Sequence, residues 1–179
     1  MPRFPLLDRI ALPVTFDSYV PGNLHPDGRR YLPLLIFKLA SGISIGVVDR
    51  HHIVDPELEG RSGVAQLVFL LSNVELQPPH TSRQGIFTEP HNRSGMTTMP
   101  EAYGSVVAVP SWEVEQGHLP YDSLYTELVL EVGNGTIGVR THVTADNLAA
   151  KLGKAQLAVG DWITVSRSRV DVLGFDISG

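Results

Sequence analysis

The run Leu124-Tyr125-Thr126-Glu127-Leu128-Val129-Leu130-Glu131-Val132, then Gly133-Asn134-Gly135, then Thr136-Ile137-Gly138-Val139-Arg140-Thr141-His142-Val143, decides the fold class. In its first part Leu124, Thr126, Leu128, Leu130 and Val132 fall on one face, and Tyr125, Glu127, Val129 and Glu131 fall on the other. That is the period of two of a half-buried strand. In its last part Ile137, Val139, Thr141 and Val143 alternate with Gly138, Arg140 and His142 in the same way. Asn followed by Gly tolerates the positive φ angles of a type I′ turn, so the two runs are expected to form a hairpin with Asn134 and Gly135 at its tip.

Downstream, Thr144 to Leu152 reads as a two-turn helix, with Thr144 as cap, Leu148 and Leu152 on one face and Gly153 at the C′ position. Two strands follow, about Asp161 to Ser166 and Val170 to Leu173. The first half of the chain repeats this order. Leu34 to Leu39, a Ser41-Gly42 turn and Ile43 to Val48 make strand, turn and strand, and Asp55-Pro56-Glu57-Leu58 starts a helix with Pro at its first position.

The repeat is also a register match. Val54 to Leu67 lies over Thr144 to Leu157 without a gap, pairing Leu58 with Leu148, Gly63 with Gly153, and Ala65-Gln66-Leu67 with Ala155-Gln156-Leu157. Beyond it, Ser72-Asn73-Val74-Glu75-Leu76 follows the pattern of Ser168-Arg169-Val170-Asp171-Val172. The expected fold is therefore all-β: two similar small OB-like barrels from an internal duplication, with a short helix in each copy. The expected boundaries are 1–77 for the first barrel, 78–104 for a connector rich in Pro and Gly, and 105–179 for the second. Val64 to Leu71 contains only Gln66 as a polar residue, so this strand is expected to be covered on both faces, by the other copy or by another chain, and a homo-oligomer is plausible.

Composition removes several classes of function. The 179 residues include no cysteine, which excludes disulfides, thiolate metal sites and cysteine nucleophiles. A net charge of -5 offers no general attraction to nucleic acid or to an anionic membrane, so neither is an expected partner. No apolar run is long enough to span a bilayer and the first residues hold no apolar leader, so a cytoplasmic location is expected.

Two literal motifs fail on context. Gly133 to Gly138 spells G-x-G-x-x-G, but a strand rather than a helix follows, so no helix N-terminus reaches a pyrophosphate. Gly42 to Gly46 spells G-x-S-x-G, but Ile43, Ile45 and Val47 continue as a strand where a nucleophile elbow needs a helix. The seven histidines, His25, His51, His52, His80, His91, His118 and His142, show no metal-ligand spacing; Asp49, His51, Asp55 and Glu57 lack an independent third ligand. No metal and no cofactor is expected. Arg167 and Arg169 flank Ser168, and guanidinium forks beside a hydroxyl suit a small anion, although Glu113, Glu115, Glu127, Asp161 and Asp171 could pair with them instead.

The run Glu127 to Val132, a turn, Thr144 with Leu148, Leu152-Gly153, Gly160-Asp161 and Ser168 before a terminal apolar strand resembles the molybdate-binding MOP/TOBE-type OB barrel, over Tyr125–Phe175. The resemblance implies paired copies that hold a tetrahedral oxyanion with main-chain N–H groups and Ser, Thr or Lys side chains near the copy interface. By position, Thr144 and Ser168 are the residues carried over, with Arg167 near where a lysine is common. The chain departs from the pattern in lacking that lysine and in having three extra residues between Leu152-Gly153 and Gly160-Asp161.

The main functional expectation is a non-catalytic binding or assembly module that works with a protein partner or by self-association. One alternative is a small-oxyanion binder using Thr144, Arg167, Ser168 and Arg169; the other is a hydrolase-type enzyme with a central-loop site of His80 or His91 with Glu89.

Overall fold

The computed structural model describes residues 7–109, 126–141, 150–153 and 157–177. Its strands are β1 (Leu12–Val20), β2 (Leu34–Lys38), β3 (Ser44–Val48), β4 (Ser62–Leu70), β5 (Asn73–Leu76) and β6 (Gly85–Phe87). They continue with β7 (Met96–Thr97), β8 (Glu101–Ala108), β9 (Thr126–Glu131), β10 (Thr136–Thr141), β11 (Trp162–Ser166) and β12 (Arg169–Ile177). The protein is all-β and contains a closed barrel of the OB-like kind. β1 pairs antiparallel with β2, β2 with β3, and β1 also with β4. The ring is closed by β12, which lies antiparallel to β4 and parallel to β3. A strand from the far end of the chain thus completes a barrel begun at residue 12.

β8, β9, β10 and β11 pair in the corresponding way: β8 with β9, β9 with β10, and β8 with β11, all antiparallel. β5 pairs antiparallel with β11, and the end of β4 runs parallel to β10. The backbone link between them also engages β10, with Ser72 N–H donating to the Arg140 carbonyl at 3.2 Å. The end of β4 and all of β5 therefore reach out of the first ring to complete the second set of strands.

The hairpin of β9 and β10 forms, but with Leu128 opposite Val139 and Leu130 opposite Ile137 its register is two residues off the one a two-residue Asn134-Gly135 turn imposes, which sets Leu130 opposite Val139. Its tip differs from the expected type I′ turn. The positive φ falls on Gly133, at 109°, and neither Asn134 nor Gly135 adopts one. Gly135 is needed for a different reason: a Cβ there would sit 2.5 Å from the Ala11 carbonyl oxygen. That close approach lets Ala11 and Thr136 exchange backbone hydrogen bonds at 3.2 and 2.8 Å. Gly135→Val is expected to push the 9–12 segment away at a cost of about 1–3 kcal/mol, whereas Asn134→Ala stays within about 0.5 kcal/mol; denaturant unfolding compares them.

β9 is also more buried than an alternating strand requires. Leu128 and Leu130 join the main core with Phe16, Phe37, Phe69, Ile137 and Ile163. On the opposite face Val129 packs with Ile10, Val68, Leu70 and Ala108 in a second cluster. β4 is likewise split, with Leu67 and Phe69 in the main core and Val68 and Leu70 in the second cluster, so the cover on its outer face comes from within the chain. The first of the expected helices is smaller than its sequence signal. Asp55-Pro56 opens a single 3-10 turn, Pro56–Leu58, with the Asp55 carboxylate accepting from the Glu57 N–H. Of the second helix, only 150–152 fall among the described helical residues. The stretch 78–104 carries β6, β7 and the start of β8.

Candidate functional site

The two junctions that pass a strand from one set to the other meet face to face. Leu71 and Arg167 each occupy a left-handed conformation with φ of 58°, turning the chain between β4 and β5 and between β11 and β12. The following serines touch: Ser72 Oγ and Ser168 Oγ are 2.7 Å apart, both buried. Ser72 donates to the Phe69 carbonyl at 3.0 Å, so the Ser168 hydroxyl donates to Ser72. The strand pairings beside them are reciprocal, Asn73 opposite Ser166 and Arg169 opposite Leu70.

A cleft of about 290 Å³ opens beside this contact. Leu34, Val48, Leu71 and Met99 form its apolar lining, and Thr98, Arg167, Ser168 and Arg169 supply its polar groups. Asp171 is buried behind them and takes two cations: Arg169 Nε at 3.1 Å and Arg50 Nε at 3.4 Å. Arg167 is exposed and, among the described residues, has neither a hydrogen bond nor an ion pair. Three guanidiniums against one carboxylate leave local positive charge in an otherwise acidic chain.

Of the sequence candidates, the structure gathers Arg167, Ser168 and Arg169 at this cleft, with Ser168 turned inward to Ser72 and Arg169 anchored on Asp171. Thr144 lies outside the described residues. Arg50 was not singled out by sequence, since its approach to Asp171 depends on β3 lying parallel to β12. Ser72 did carry a signal, its alignment with Ser168. Glu127 is taken by Arg140 at 2.5 Å, and the Asp161 carboxylate accepts from Ala158 N–H at 2.8 Å.

The central loop holds a different arrangement from a catalytic pair. Glu89 accepts from the Thr97 hydroxyl and from Asn92 Nδ2, and these bonds, Thr97 first, hold its carboxyl below the ordinary range. Their contribution is full at neutral pH and is lost as pH falls through that lowered value. His80 and His91 sit at exposed turn positions with φ of 65° and 71°. Asp49 is also structural, its two carboxylate oxygens accepting from Ile53 and Val54 N–H at 2.8 Å each. Among the described residues no three His, Asp or Glu side chains gather around a common point. None of the described helices is long and apolar enough to cross a membrane.

No family model and no curated protein matches the chain. Among solved structures it is similar to the cytoplasmic molybdate-binding protein ModG, in a PEG-grown crystal form with molybdate bound. The likeness covers 92% of this chain and 94% of that one, at 16% identity and a TM-score of 0.45. That neighbour binds molybdate, as do members of the family that Tyr125–Phe175 resembles; at this TM-score nothing of its ligand or assembly carries over.

Proposed function

We propose that the protein is a non-catalytic, cytoplasmic binding module whose ligand is a small oxyanion taken at the Arg167–Arg169 cleft. The observation that carries this reading is the uncommitted Arg167 guanidinium beside two arginines sharing one carboxylate. A planar fork with no partner among the described residues is suited to grip a tetrahedral anion by two parallel hydrogen bonds. Thr144 is the further donor proposed from the sequence. The module is built from two copies of one five-strand unit, 1–77 and 105–179, joined by 78–104. The reciprocal pairings and the equal φ angles of Leu71 and Arg167 support this duplication.

Calorimetric titration with molybdate, sulfate and phosphate tests the ligand. Arg167→Ala is expected to weaken binding about tenfold or more, the loss of one charge-assisted pair, without moving the unfolding midpoint. No heat at millimolar anion, or an unchanged affinity in the variant, removes the reading. A second reading, self-association, is favoured by Val20, Leu24, Tyr31 and Leu32, large apolar side chains exposed between β1 and β2. Sedimentation that stays monomeric at high concentration removes that one.

A further inference from the structure

A second and larger cleft, about 520 Å³, shares no residue with the arginine site. It opens where the β2–β3 turn, the β9–β10 turn and β6 come together. Leu12, Leu39, Ile86, Phe87 and Val132 supply its apolar surface. Among the described residues no charged side chain lines it. Its polar side chains are Ser41, Gln84 and Asn134, and none of these makes a hydrogen bond within the described structure.

The aromatic wall is held in place. Phe87 packs edge-on against Tyr103, with ring centroids 5.5 Å apart, and Arg83 lies 4.3 Å from its centroid. A Cβ on Gly85 would come 2.8 Å from this ring, so glycine is what lets Phe87 fold back over β6. The volume lies within the range of small-molecule sites, which combine apolar walls with a few polar groups that orient the ligand. Two side-chain amides each present a donor and an acceptor, the complement of another amide edge. The nearest cation, Arg83, is stacked on the Phe87 and Tyr103 rings and is not among the described lining residues, so a charged ligand would lose hydration for little return.

We propose that this cleft binds a small uncharged molecule with a flat apolar ring and an amide edge, the ring against Phe87 and Ile86 and the amide toward Gln84 and Asn134. Benzamide is the probe, with benzoate as its charged counterpart. Titration of the full chain, followed by amide NMR shifts, should give saturable changes at Ala40, Ser41, Gln84 and Gly133, with a dissociation constant on the order of millimolar. The double variant Gln84→Ala, Asn134→Ala should weaken binding at least roughly fivefold at an unchanged unfolding midpoint. Ser41→Trp, on an exposed turn, should block the cleft by bulk, while Arg167→Ala should leave benzamide binding intact. Shifts scattered over the surface, equal binding of benzoate, or indifference to both sets of cleft substitutions would overturn the assignment.

Discussion

A chain lacking residues 169–177 is expected to lose the cooperative unfolding transition of the barrel formed by β1, β2, β3 and β4. β12 supplies the strand between β3 and β4, with ladder partners on β4 from Gly63 to Leu70. It also brings Val170 and Val172 into the core, each about 1% exposed, and buries Asp171 against Arg50. Removing it opens two strand edges and exposes the barrel interior, a loss comparable with the whole stability of about 5–15 kcal/mol usual for a domain. Near-ultraviolet circular dichroism during denaturant unfolding reads the result, and a synthetic 167–177 peptide should restore part of the signal. A truncated chain that unfolds within about 1 kcal/mol of the intact one would show that β12 does not close the barrel.

Phe37→Ala is expected to cost about 3–5 kcal/mol, the range for emptying a fully buried aromatic position. Phe37 is fully enclosed, meets Phe16 edge-on at 5.7 Å and stacks with Phe175 at 5.5 Å. Phe16 also meets Phe175 at 6.2 Å, so the three rings tie β1, β2 and β12 together. Phe37→Leu keeps most of the volume and should cost less, about 1–2 kcal/mol. Equal and small losses in both variants would mean that the rings do not form the centre of the barrel.

The sequence spoke clearly for two of the pairs that neighbouring strands form, β9 with β10 and β2 with β3, but not for β1 with β2 as a whole or β8 with β9. Leu124 to Val143 announced a hairpin because alternation and a Gly-Asn-Gly tip are local signals, and β2 with β3 did the same. The partners of the closing strands were not legible. Val74 and Val170 look like continuations of their own copies, and only long-range pairing places them opposite Val165 and Phe69. The turns that divert them use Leu71 and Arg167, side chains that normally avoid positive φ, so no glycine marks the place. The density of proline in 78–104 likewise hid β6 and β7, which are two or three residues long. At the candidate cleft, Arg167, Ser168 and Arg169 were singled out by their chemistry, whereas Arg50 needed the third dimension.

The late arrival of β12 has a consequence for biosynthesis. A ribosome delivers β4 roughly a hundred residues before it delivers the strand that must lie beside it. At about 5–20 residues per second, the nascent first barrel waits on the order of 5–20 s with β3 and β4 unjoined. During that interval the Ser62–Leu70 edge is open to any other extended chain, including one emerging from a neighbouring ribosome, whereas on β3 the Ser44–Ile45 end is already paired with β7 and only the Val48 end waits for β12.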